Sequence, residues 1–311
     1  MKALRCRPIL PVIGAKCKVL DHGHVILTHA MPGFFNPKDP LGAERMILDA
    51  ARTSTNLDTM SKKNNGVEVK YDYDRDVKLL KYLMLHKHWS PFEQIQIQFH
   101  IDLPIFVNNQ LKRYRTAAIN EQSFRYSVPS KPKVYVPDRS RLCAQSKTNK
   151  QASSNEIIVD KGVELFYNTI KKSLEIYDDY ETSVKEYDLS REIARITNPQ
   201  NIYVNLVYSM NLRNILNLIG QRTHSTAQHE IRVYAFAIYN LVKQIAPITL
   251  ETYLETDLFS TNIPASSLMI NNTADSYQIN CNLVKEQVNE INALKRDFKT
   301  MLPEIEYEYD D

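Results

Sequence analysis

The chain has 311 residues, 43% hydrophobic and 24% charged, the proportions of an ordinary globular protein with one large domain or two small ones. A formal charge of +3 is too small to imply a nucleic-acid polymer as partner, so any basic residues that matter form local clusters. No apolar run approaches the roughly 20 residues of a membrane helix, which predicts a chain without a membrane partner.

In chain order, the first 18 residues carry Lys2, Arg5, Arg7, Lys16 and Lys18 and no acid. Pro8 and Pro11 spoil an amphipathic transit helix there, so the stretch reads as a short extension of a cytoplasmic protein. Cys17 to Ala30 predicts two strands around the turn Asp21-His22-Gly23. Leu41 to Thr53 predicts a helix, and Asp76 to His86 another, with Leu79, Leu80, Leu83 and Met84 on one face. Gln94 to Asp102 alternates polar and apolar without a break, as a half-buried strand does. Pro104 opens a helix over Ile105 to about Lys112.

Val134 to Val136 reads as a short strand and Arg139 to Ser154 as a polar loop. Gly162 to about Tyr187 and Ser190 to Ile196 read as helices, and Ile202 to Tyr208 is rich in β-formers. Leu212, Ile215, Leu216 and Ile219 make an apolar stripe that leaves Arg213 and Asn217 together on the opposite face. Gly220 reads as the cap of that helix, with Arg222 in the turn beyond. Ser225 and Gln228 resemble a capping box for a helix to about Ile245, whose core face is Ala227, Ile231, Tyr234, Ala235, Ile238, Leu241, Val242 and Ile245. After Leu254 the chain is polar until a surface helix from Asn282 to about Met301, then an acidic, mobile tail from Glu304 to Asp311. The chain thus divides into an extension over 1–16, a domain over 17–254 with a loop insertion at 138–155, and a C-terminal extension over 255–311.

The densest chemistry lies between Arg113 and Ser127: Arg-Tyr-Arg-Thr-Ala-Ala-Ile-Asn-Glu-Gln-Ser-Phe-Arg-Tyr-Ser. Guanidinium forks suit phosphate and the carbonyl edges of bases, so the segment reads as a nucleotide site. The seven glycines stand no closer than nine residues apart, which excludes a Gly-x-Gly-x-x-Gly turn and a P-loop; side chains must hold the nucleotide. Cys6, Cys17, Cys143 and Cys281 form no Cys-x-x-Cys pair, and His86 and His88 lack partners at zinc spacing, so no metal site is expected.

Arg113-Tyr-Arg115, seven residues and then Ser123 resembles the signature of the flavin-dependent thymidylate synthases, Arg-His-Arg, seven residues and Ser. The likeness extends through His88-Trp-Ser-Pro-Phe-Glu93, Pro104 to Gln110, Asn120 to Ser127, Ala194-Arg195-Ile196, Asn211-Leu-Arg213 and Arg222 to Ile231, in order and at compatible spacing. It implies an α/β fold with a central, mostly antiparallel sheet flanked by helices, assembled as a homotetramer with active sites between subunits. It implies methylation of dUMP at C5, with FAD, NADPH as reductant and methylenetetrahydrofolate as carbon donor.

Carried over residue by residue, the resemblance gives Arg125 and Arg195 the dUMP phosphate. Gln110, Arg113, Glu121, Gln122, Ser123 and Phe124 complete that pocket. FAD falls to Ser54, Ser90, Glu93, Arg113, Tyr114, Arg115, Glu121, Asn211, Arg213 and Asn217, with His88 and Tyr114 assigned to the folate and flavin neighbourhood. Arg222 is the catalytic residue, a cation at the uracil edge that stabilises the N3-deprotonated base and enriches C5. No enzyme nucleophile is implied, and no cysteine falls in these blocks.

Tyr114 stands where the family has histidine, Thr226 and His229 replace its usual His and Trp, and nothing after Leu254 matches. Two alternatives stay open. One is a dUMP- and FAD-binding relative with lost or impaired turnover because of Tyr114. The other is an RNA-binding module using Arg-Tyr-Arg for stacking, which the modest charge disfavours.

Overall fold

The computed structural model describes residues 13–33, 39–53, 72–128, 132–147, 149–258 and 289–307. Cys6, Ser54 and Cys281 lie outside them. The predicted strand pair forms as Ala15–Val19 (β1) and Gly23–Met31 (β2), joined at the expected turn. Gly23 is required there, because a Cβ would lie 2.1 Å from the Tyr234 hydroxyl, which donates to the Asp102 carbonyl at 2.8 Å.

The alternating segment becomes Gln96–Pro104 (β3), with Ile97, Phe99 and Ile101 buried and Gln96 exposed. It lies between β2 and Tyr203–Asn211 (β7), antiparallel to both, in a six-stranded sheet ordered β4-β7-β3-β2-β1-β8. The edges are Ala118–Glu121 (β4) and Ile305–Tyr307 (β8). The fold is mixed α/β with an antiparallel sheet.

The helix expected from Leu41 begins as a 3-10 turn, Gly42–Glu44, and continues as Arg45–Thr53 (α1). The next is Tyr73–Leu85 (α2), begun by Asp72, whose side chain accepts from the Arg75 amide, so it starts earlier than its apolar face suggested. Arg45 holds α1 to α2, pairing with Asp39 and Asp76 at 2.6 Å each, while Arg52 also reaches Asp76. Pro104 ends β3 and precedes Ile105–Leu111 (α3).

Val134 forms only an isolated bridge with Ile202. The stretch expected as a polar loop carries a 3-10 turn at Arg139–Arg141 and a small hairpin, Cys143–Gln145 (β5) with Ser153–Ile157 (β6). Its strands are mostly exposed, so no apolar alternation announces them. The long helix is Asp160–Lys185 (α4), followed by Arg191–Ala194 (α5) and a 3-10 turn at Arg195–Thr197.

The apolar stripe after β7 lies on Leu212–Arg222 (α6), and Asn211 caps it by accepting from the Asn214 amide at 2.9 Å. Gly220 lies inside this helix rather than capping it; a Cβ there would sit 2.5 Å from the Tyr253 hydroxyl. Arg222 is consequently the last helical residue, not part of the following turn. The next helix, His229–Lys243 (α7), starts at Gln228 without a side-chain cap, so Ser225 forms no capping box with it.

The expected core face of α7 from Ile231 to Ile245 is buried, with Ala227 half-buried, but Phe236, Ala237 and Tyr239 are buried too. Their cover is the C-terminal helix, described over 289–300 (α9), where Phe298 meets Phe236 at 5.0 Å and Tyr239 at 4.8 Å, both edge to face. Part of the expected acidic tail then pairs as β8 with β1, and Lys18 meets Glu306 at 2.9 Å. Phe298→Ala is expected to cost about 3 kcal/mol in urea unfolding, since it opens a cavity between α7 and α9.

Glu44 is fully buried and accepts from the amides of Ile248 (3.2 Å) and Thr249 (2.5 Å), at the start of Pro247–Tyr253 (α8). Burial pushes its carboxyl up to about 7 from 4.5, against the pull of those hydrogen bonds. A raised carboxyl contributes stability below its unfolded value, and that contribution is lost as pH rises through the folded value. Relative to Glu44→Gln, the wild type should therefore lose up to about 3 kcal/mol between pH 4.5 and 7, read by urea unfolding. A stability difference flat across that range would refute the linkage.

Candidate active site

The Arg-rich segment begins where α3 unwinds. Amides of Arg113 and Tyr114 donate to the carbonyls of Gln110 and Leu111 at 3.2 Å, and Ala117 donates to Tyr114 at 3.2 Å. These tight turns send the Tyr114 side chain into the core at 7% exposure and leave Arg113 and Arg115 exposed on either side. The chain then adds β4 to the edge of β7, pairing Ala118 with Ser209 and Glu121 with Leu206. A further turn follows, in which Phe124 is the buried anchor and Ser123 Oγ accepts from the Arg125 amide at 3.3 Å.

The second contribution comes from α6. Burial of Leu212, Ile215, Leu216 and Ile219 turns Arg213, Asn217 and Gln221 outward in one row, as the sequence predicts for the first two. Arg213 pairs with Glu93, which rides on the 3-10 turn Ser90–Gln94. Two residues expected to serve one cofactor, 120 positions apart, are in contact.

At the end of α6, Arg222 Nε donates to the Tyr114 hydroxyl at 2.9 Å, and its guanidinium carbon stands 5.5 Å from the ring centre. The Tyr114 hydroxyl donates in turn to Gln221 Oε1 at 3.0 Å, and Gln221 Nε2 donates to Asn217 Oδ1 at 3.1 Å. Burial raises the Tyr114 phenol above its ordinary range although Arg222 pulls it down, so the hydroxyl keeps its proton at neutral pH.

A second group gathers at the other end of the Arg-rich segment. The Tyr180 hydroxyl of α4 donates to the Phe124 carbonyl at 3.4 Å, and Arg191 donates to the Tyr126 carbonyl at 3.0 Å. Arg125 reaches Glu192 at 3.9 Å, and Arg195 is exposed on the turn after α5. Burial raises the Tyr180 phenol, and the charges of Arg191 and Arg195 pull it back. Arg125 and Arg195 thus belong to one neighbourhood, around the Phe124 turn and the start of α5.

Other predicted residues have partners within the chain. Gln110 donates to Gln228 at 2.6 Å, Glu121 accepts from Asn108 at 2.7 Å and pairs with Lys112, and Gln122 accepts from Asn205 at 3.4 Å. Ser90 is exposed at the start of its 3-10 turn, and His88 is exposed with its ring 6.2 Å from Tyr82. Sequence reading missed Gln221, Gln228, Tyr180 and Arg191 as parts of this site. Gln221 follows Asn217 by one helical turn, so the row itself contained that signal. Among the described residues no group of three or more His, Cys, Asp and Glu could hold a metal ion, and no helix is long and apolar enough to cross a membrane.

Residues 39–248 match the family model of the thymidylate synthase complementing protein, Thy1. A flavin-dependent thymidylate synthase from Wolbachia pipientis wMel is 35% identical over 252 residues, 81% of this chain and 83% of that one. Another from Anaplasma marginale is 35% identical over 238 residues, covering 76% and 77% of the two chains. Among solved structures, a UMP/dUMP methylase, PolB, from Streptomyces cacaoi bound with 5-Br dUMP superposes with a TM-score of 0.62 at 26% identity, over 76% of this chain and 97% of that one. The match over most of the folded core, together with these relatives, places the chain in the Thy1 family of flavin-dependent thymidylate synthases.

Proposed function

We propose that this protein methylates dUMP at C5 to give dTMP, taking the carbon from methylenetetrahydrofolate and using FAD reduced by NADPH, with no covalent enzyme nucleophile. The observation that carries the reading is the Tyr114–Arg222 contact, where the Arg-rich segment meets the polar row of α6 in a member of this family. Relatives named flavin-dependent support the cofactor, and the row itself suits it. An exposed guanidinium and two amides on one helix face fit the diphosphate and hydroxyls of a dinucleotide. Arg213, Asn217, Glu93, Ser90, Asn211 and Arg115 would hold it, while Tyr114, expected from the sequence to join them, is buried with its hydroxyl committed to Arg222 and Gln221; when bound, FAD supplies the hydride.

The chain's own residues would do the rest. Arg125 and Arg195, with Ser123, would fix the nucleotide by its phosphate, while Gln110, Arg113, Glu121, Gln122 and Phe124 shape the pocket. With Nε committed to Tyr114, Arg222 presents its terminal nitrogens to the uracil edge and stabilises the N3-deprotonated base, which makes C5 nucleophilic. Tritium release from C5-labelled dUMP should require both FAD and methylenetetrahydrofolate. Arg222→Ala should cut it by about 10²-fold or more, while Cys143→Ala leaves it intact. Folded, flavin-loaded protein that binds dUMP without releasing tritium would instead mark a relative that has lost turnover.

We further propose that the chain works as a homotetramer with sites shared between copies. On α4, Leu165 and Ile176 lie on one face at 68% and 44% exposure, and Ile193 and Ile196 beyond it are 54% and 75% exposed. The exposed Arg195 stands between Ile193 and Ile196, and the exposed Arg125 reaches Glu192 just before them, where a second copy would enclose both. Light scattering should give the mass of four chains, and Leu165→Glu combined with Ile176→Glu should lower it and weaken dUMP binding together.

A further inference from the structure

We propose that Tyr114 is a positioning residue for Arg222, holding the guanidinium through Nε and linking it by a directed chain of hydrogen bonds to Asn217. The inference rests on the reading of Arg222 as the group facing the uracil.

The direction of the chain follows from donor chemistry. A guanidinium only donates, so the phenol oxygen must accept from Arg222 Nε at 2.9 Å. The single phenol proton then goes to Gln221 Oε1 at 3.0 Å, which orients that amide and aims its NH₂ at Asn217 Oδ1, 3.1 Å away. Two covalent neighbours, Gln221 and Arg222, are thus held by one buried hydroxyl from a distant segment. The ring adds a second restraint, since the guanidinium carbon stands 5.5 Å from its centre. Arg222 therefore gives up its rotamer freedom on folding rather than on binding, and its terminal nitrogens are aimed before dUMP arrives.

The choice of phenol matters for charge. The titratable groups around Tyr114 are Arg222 on α6, Tyr208 on β7 and the flanking Arg113 and Arg115. The two phenols stay protonated at neutral pH because burial raises both. An imidazole at this position would titrate near about 6.5 and place a second cation against Arg222 in its acidic form. In this chain the phenol at position 114 adds no charge beside Arg222 across neutral pH.

Tyr114→Phe, Tyr114→His and the wild type, each loaded with FAD, separate the possibilities. Melting temperature establishes that the variants fold, calorimetry gives dUMP affinity, and C5 tritium release from pH 6 to 8.5 gives the rate profile. Tyr114→Phe should lower kcat/KM for dUMP by about 10-fold and weaken dUMP binding several-fold, at unchanged profile shape. Tyr114→His should add an ionisation near pH 6.5 to both binding and rate. Equal affinity and rate for Tyr114→Phe and wild type, or superimposable profiles for Tyr114→His and wild type, overturn the proposal. If the wild type binds dUMP but releases no tritium, the synthase reading fails alone and calorimetry still decides the positioning role. If the wild type binds no dUMP, both fall.

Discussion

The enclosure of α7 on two opposite faces is the constraint on which the rest of the molecule depends. A helix that carries Ile231, Tyr234, Ala235, Phe236, Ile238, Tyr239, Leu241 and Val242 is apolar around most of its circumference and has to be covered on more than one face. The antiparallel sheet takes one face, where Tyr234 reaches across to the Asp102 carbonyl and Gly23 makes room for it. The C-terminal helix takes the other through Phe298. The same cover ties down the end of α6. Arg232 of α7 donates to the Thr223 carbonyl at 3.4 Å and pairs with Asp297 of α9, so the residue after Arg222 is fixed by the far end of the chain.

Charged groups in this protein play two separate parts. Asp39, Arg45, Asp76 and Arg52 are mutually satisfied in a half-buried network that joins α1 to α2. Glu44 is spent on the start of α8, and Glu230 is buried, accepting from the Tyr135 hydroxyl at 3.1 Å. Removing one member of such a group leaves its partner buried without compensation, which makes these residues structural. Arg113, Arg115, Arg125 and Arg195 remain exposed and lie around the Tyr114–Arg222 contact or the Phe124 turn.

The helix rows and central strands were legible in the sequence because each reports a one-sided burial. β3 alternates with period two, and α6 carries its apolar stripe and its Arg213–Asn217 row at a period of 3.6, both read without knowing what covers them. The misreadings share a different cause. Gly220 looked like a helix cap because glycine commonly is one, but it is small to admit the Tyr253 hydroxyl. Ser225 and Gln228 have capping-box spacing, yet Gln228 accepts from Gln110 instead. Phe236 and Tyr239 lay outside the expected core face because their cover is the distant C-terminal helix, and the tail from Glu304 read as mobile because its partner is β1 at the other end of the chain.

The sequence by itself determined the core strands, the polar face of α6 and the family, since local periodicity and ordered motifs need no partner to be recognised. Tertiary structure alone decided that Ile305–Tyr307 closes the sheet beside β1 and that Phe298 covers α7. It alone brought the Tyr114 hydroxyl to Arg222 across 108 residues. A hydrogen bond or a covered face between distant segments leaves no periodic trace in either one, so it exists only once the chain has folded.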